Sequence, residues 1–130
     1  VNKRTGQNHP PVSTKAAVIT RDGGLCVLAL PGCTGEAQTT DHRANRGAGG
    51  SRVLNDPVNL VGACVLCNGA KATASGEARE ELIRRGITVI PAATHAKTLE
   101  RARDLPVEYP DGLTYKLIDE HTRELVTTPI

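Results

Sequence analysis

Apolar positions along this chain fall into short runs separated by polar, proline-containing or glycine-rich stretches. Residues 1–12 are polar and include Pro10-Pro11, the pattern of an extended arm, bounded at 1–14. Ser13 or Thr14 can cap a short helix over Lys15–Arg21, which Gly23-Gly24 ends. Ala37–His42 and Asn59–Ala63 read as short strands, and 45–52 between them, lacking any large apolar side chain, as a surface loop. A helical segment starts near Asn68. Ser75 then caps a second one, Glu77–Arg85, which Gly86 closes. Further on, Thr94–Asp104 predicts a helix stopped before Pro106. Val107–Glu108, Leu113–Asp119 and Glu124–Thr127 predict short strands joined by turns. The chain thus predicts an α+β fold: a unit over 15–90 and an extension over 91–130 with a helix and a β-hairpin.

Composition makes that unit hard to stabilise by packing alone. The chain has no Trp, Phe or Met, and Tyr109 and Tyr115 are its only aromatic residues, against 13 Gly and 8 Pro. Aromatic side chains usually dominate burial, so a core of Val, Leu, Ile and Ala in a chain of 130 residues calls for a staple. Four cysteines can supply it. Cys64 and Cys67 have two residues between them, the spacing of a zinc knuckle; Cys26 and Cys33 have six, a looser pair that Pro31-Gly32 can tighten. No signal-like or membrane-spanning run is visible, which favours a reducing, cytoplasmic setting and a zinc site over two disulfides, the alternative.

The net charge is only +2, but it is unevenly spread. Residues 1–52 carry seven Lys or Arg against three acids, 53–86 balance at four each, and 87–130 carry five basic and seven acidic groups. Basic character sits beside the residues of chemical interest, which suits a phosphate-bearing partner.

Those residues form an ordered set: Cys26, Cys33, Asp41-His42, Asn59-Leu60, Cys64-Val-Leu-Cys67-Asn68 and Lys71. In this order and spacing, over roughly residues 15–86, the chain resembles the HNH endonuclease family, most of all its small zinc-stapled phage and restriction-type members. The resemblance implies a ββα-metal unit that hydrolyses phosphodiester bonds in DNA, as an endonuclease or nickase, leaving 5′-phosphate and 3′-hydroxyl ends. It implies His42 as general base. Asn59 would brace the loop between the strands and so keep that base in place, with Asn55 as its rival for this position. Asp41 and Asn68 would hold the catalytic cation. Asn68 stands where the family name implies His, and two oxygen ligands point to Mg²⁺ or Mn²⁺ rather than a softer metal. The four cysteines would hold structural Zn²⁺.

Arg43, Arg46, Arg52 and Lys71 are candidate phosphate contacts, because basic side chains beside such a set suit a nucleic-acid backbone. The resemblance implies DNA as partner, with phage packaging machinery (terminase or portal) or a second copy of the chain as further ones, and no membrane. A non-catalytic, zinc-stapled DNA-binding or adaptor module is the alternative. His9, His95 and His121 lie outside the set and read as surface residues.

Overall fold

A computed structural model describes residues 9–45 and 52–126. Its order is α1 (Val12–Arg21), β1 (Thr39–His42), two single-turn 3-10 segments (Val53–Asn55 and Pro57–Asn59), β2 (Leu60–Ala63) and α2 (Val65–Ala72). Then come α3 (Gly76–Arg84), α4 (His95–Asp104), β3 (Val107–Glu108), β4 (Thr114–Leu117) and β5 (Arg123–Leu125). The class is α+β. β1 and β2 pair antiparallel, with Asp41 opposite Val61 and His42 opposite Leu60. β3, β4 and β5 form one antiparallel sheet in that order, so the three strands expected in the extension join as a hairpin with a third strand beside it.

Element bounds differ from the sequence reading where backbone chemistry overrides side-chain signals. Helix α1 starts at Val12 rather than Lys15. Pro11 is its N-cap, with φ −56° and ψ 148°, and no side chain caps it. Proline fixes φ near the helical value and has no N–H to leave unsatisfied, so it starts the helix ahead of Ser13 and Thr14. Helix α2 begins three residues before Asn68, because the Cys64 sulfur accepts the Cys67 N–H and acts as the cap.

One apolar core joins the two parts of the chain. Val27, Leu28, Val58, Val61, Ala63, Leu82 and Ile87 pack with Val107, Tyr109 and Leu117 from the extension, and with Cys26, Cys64 and Cys67. Residues 91–126 therefore help complete the fold of the preceding unit rather than hanging from it. Gly62 in β2 is required by close approach: a Cβ there would lie 2.9 Å from the Leu25 carbonyl oxygen.

Beneath β2 lies a buried polar knot that nothing in the sequence announces. Arg21 pairs with Asp22 at 2.9 Å and donates to the Pro57, Leu60 and Asp119 carbonyls. Asp22 also accepts from Tyr109 Oη at 2.5 Å and from the Gly62 N–H at 2.8 Å. A charge pair with no exposed side-chain surface is tolerable only with such complete pairing. The knot links α1, β2 and the C-terminal sheet. Among the described residues no helix is long and apolar enough to cross a membrane.

Candidate functional site

The four cysteine sulfurs lie within 4.8 Å of one another, and Cys26, Cys64 and Cys67 are buried. Tetrahedral zinc with Zn–S bonds of about 2.3 Å places its sulfurs about 3.8 Å apart. Cys33 and Cys64, at 4.0 Å, match that separation and are far beyond disulfide length. Three backbone N–H groups point at sulfur: Leu30 to Cys67, Gly35 to Cys33 and Cys67 to Cys64, at 3.3–3.4 Å. Burial raises the Cys64 thiol pKa, but bonds from the Thr34 and Cys67 backbone outweigh it and bring the value down to about 6. The loose first pair closes through a turn in which Cys33 N–H donates to the Leu30 carbonyl, with Pro31 and Gly32 (φ +86°) at its centre. The cluster can hold a metal ion and is consistent with structural zinc.

One turn further along α2, a cleft of about 520 Å³ opens between α1, β1, α2 and α3. Asp41 and His42 at the end of β1 line it, and so does Asn68 from the first turn of α2. The knuckle fixes how far α2 is rotated about its axis. Asn68 and Lys71 follow Cys64 and Cys67 at i+4 spacing and so rise on the same side of the helix.

Asn59 is buried and ties the chain on both sides of the cleft floor. Its amide oxygen accepts the Ala44 N–H at 2.8 Å, and its amide nitrogen donates to the Ala44 and Leu54 carbonyls at 3.1 and 2.9 Å. The side chain thus joins the end of β1 to the segment that leads into β2. His42 Nε2 lies 2.8 Å from Asn55 Oδ1, a contact with the residue set aside as Asn59's rival.

Lys71 faces inward. Its ammonium donates to Asp41 Oδ2 at 2.5 Å and to the His42 carbonyl at 2.7 Å, with side-chain exposures of 11% for Lys71 and 8% for Asp41. The expected phosphate contact is replaced by an ion pair, because a buried carboxylate at the end of β1 demands a counter-charge. Burial pushes the Asp41 carboxyl up and the Lys71 ammonium down, each by more than the partner's charge restores.

Arg43 also departs from its expected role. It is 1% exposed, and its guanidinium donates to the Gly86, Val58, Ala102 and Leu105 carbonyls at 2.7–2.8 Å. With those donors engaged in the interior, it is a structural clamp and not a phosphate ligand. Arg52 is exposed and lines a separate hollow with Asn55 and Leu99. Arg46 lies outside the described residues.

The cleft has basic groups the sequence reading passed over: Lys15 on α1 and Arg79 on α3. Neither side chain has a hydrogen-bond or ion-pair partner among the described residues. Lys15 follows a proline-rich arm and Arg79 sits among three acids, Glu77, Glu80 and Glu81, two contexts that read as ordinary solvated surface. Only the tertiary arrangement that sets α1 and α3 along one cleft brings them together. Comparison with protein-family models, with curated proteins and with solved structures finds no match to this chain.

Proposed function

We propose that this chain is a metal-dependent DNA endonuclease of the HNH type, a ββα-metal nuclease with His42 as its general base. One observation carries the reading. Asp41, His42 and Asn68, from a strand end and the facing helix, line one cleft together with the basic side chains Lys15 and Arg79. A neutral imidazole takes a proton from water near neutral pH, and the hydroxide so formed attacks phosphorus. Lys15 and Arg79 suit the non-bridging oxygens of a phosphodiester backbone, which favours binding by charge over base reading.

The donor set fits a hard divalent cation. Asp41 Oδ2 is taken by Lys71, while Asp41 Oδ1 and the Asn68 amide have no described partner and line the same cleft. Such an ion, Mg²⁺ or Mn²⁺, would supply charge neutralisation at the phosphate and the departing oxygen when bound. Lys71 brings a fixed positive charge to the same carboxylate. That ion pair favours the second reading, a zinc-stapled DNA-binding module without catalysis.

Supercoiled-plasmid cleavage by wild type and His42→Ala, at equal zinc content and with Mg²⁺, Mn²⁺ or no added divalent cation, separates the two. Cation-dependent nicking or linearisation that falls by about 10²–10⁴ in the variant is the expected result, the usual contribution of a general base. Plasmid binding without cleavage by folded, zinc-loaded wild type would select the binding module.

A further inference from the structure

We propose that Asn55 is the positioning residue for His42, holding its imidazole as the Nε2–H tautomer so that Nδ1 is the basic nitrogen. The functional consequence rests on the nuclease reading; the tautomer itself does not. A neutral imidazole has one N–H and one lone pair, and the hydrogen bond made by one nitrogen decides which it carries. An amide oxygen only accepts. With Asn55 Oδ1 2.8 Å from Nε2, the proton sits on Nε2 and the lone pair on Nδ1.

The placement of Asn55 is built. It ends the Val53–Asn55 turn, its N–H donates to the Arg52 carbonyl at 3.2 Å, and the preceding Leu54 is fully buried. The Leu54 carbonyl is held by the Asn59 side chain, which also grips Ala44, two residues beyond His42. Helix α4 packs against both 3-10 turns, and its Ala102 carbonyl accepts from Arg43, next in sequence to His42. His42 is therefore braced through its backbone by Asn59 and Arg43 and through its ring by Asn55. The C-terminal extension supports both routes, which gives it a part in the chemistry although, among its described residues, only Pro91 at its start lines the cleft. Asparagine here orients the ring without the negative charge that an aspartate would set against it.

The test has two readouts. The first is the ring-nitrogen NMR spectrum of ¹⁵N-histidine-labelled protein at a pH where the ring is neutral, with His42 assigned by its loss in His42→Ala. Wild type should show the Nε2–H tautomer alone, Asn55→Ala a mixture, and Asn55→Asp, which keeps an acceptor, the wild-type form. The second is steady-state cleavage: Asn55→Ala should lose about tenfold or more in kcat with KM unchanged, and Asn55→Asp should recover most of it. A wild-type His42 in the Nδ1–H form would overturn the proposal without any variant, as would an Asn55→Ala spectrum identical to wild type. Absence of cleavage by wild type would count against the nuclease reading alone and leave the tautomer result standing.

Discussion

The cysteine cluster and the Asp41–His42 cleft are neighbours on α2, and they differ in what they leave to be supplied from outside. Around the cluster four sulfurs converge, backbone N–H groups point at them, and three of the four residues are buried. The protein alone provides every ligand a tetrahedral ion needs, which is the form of a structural site. In the cleft, the carboxylate of Asp41 and the amide of Asn68 line the same space as Lys15 and Arg79, two basic side chains with no partner among the described residues. A site left incomplete by the protein is one that a substrate can complete. The molecule thus places a closed site at the head of a helix and an open one on its next turn, and the first sets the orientation of the second.

The sharpest way to break this comparison is to remove the closed site. Structural zinc in small domains contributes about 10–16 kcal/mol of apparent binding free energy, and this core has little aromatic packing to replace it. Cys67→Ser, or stripping with a strong chelator, should abolish the cooperative thermal transition seen by circular dichroism. A protein that keeps its full transition with no bound metal would show that the cluster is not the staple.

Next in size is the interior clamp. Arg43→Leu leaves four carbonyls without their donor and should cost about 3–5 kcal/mol in urea unfolding, the range for breaking a buried charged network. Unchanged stability with weakened DNA binding would return Arg43 to the cleft and undo its reassignment.

These two cases show what was legible in the sequence. Cysteine spacing, the Asp-His pair and the strand and helix signals are local, so the α+β order, the four-sulfur cluster and the approach of Asp41, His42 and Asn68 could be read from the chain. The roles of the cations could not. Arg43 lies beside His42, yet its fate is decided by carbonyls 15, 59 and 62 residues away. Lys71 is turned inward by a carboxylate 30 residues earlier, and the Arg21–Asp22–Tyr109 knot spans 87 residues. A charged side chain carries no periodic signal of where it points. Its destination depends on which acceptors the fold leaves unpaired, and that is a tertiary property. Helix starts differ for a similar reason, since a cysteine sulfur caps α2 in place of a hydroxyl and α1 begins at a proline with no side-chain cap at all.

A smaller effect tests whether the open site is open to cations. Lys71→Ala leaves Asp41 buried and unpaired, and should lower stability by about 2–3 kcal/mol when no divalent cation is added. Mn²⁺ should then bind more tightly than to wild type, since the competing ammonium is gone, and should restore part of the loss through linkage. The difference in thermal midpoint with and without Mn²⁺, compared between variant and wild type, reads both. Mn²⁺ that stabilises neither protein would remove Asp41 as a cation ligand and leave the Lys71 pair as the permanent state of the site.

The smallest effect discriminates most finely between side chains that look alike in sequence. Lys15 and Arg79 line the cleft with no partner among the described residues, so replacing either with Ala should leave unfolding unchanged within about 0.5 kcal/mol, as for surface substitutions that break no contact. If each sits against a phosphate, its loss weakens DNA binding and reduces the slope of log K against log salt by about 1, because one fewer counterion is released. Arg52, exposed on the neighbouring hollow, provides the control for a basic residue outside the cleft. Equal slopes for wild type, Lys15→Ala, Arg79→Ala and Arg52→Ala would mean that the backbone passes elsewhere. A change confined to the first two would place it along the face where α1 and α3 meet the Asp41–His42 strand end.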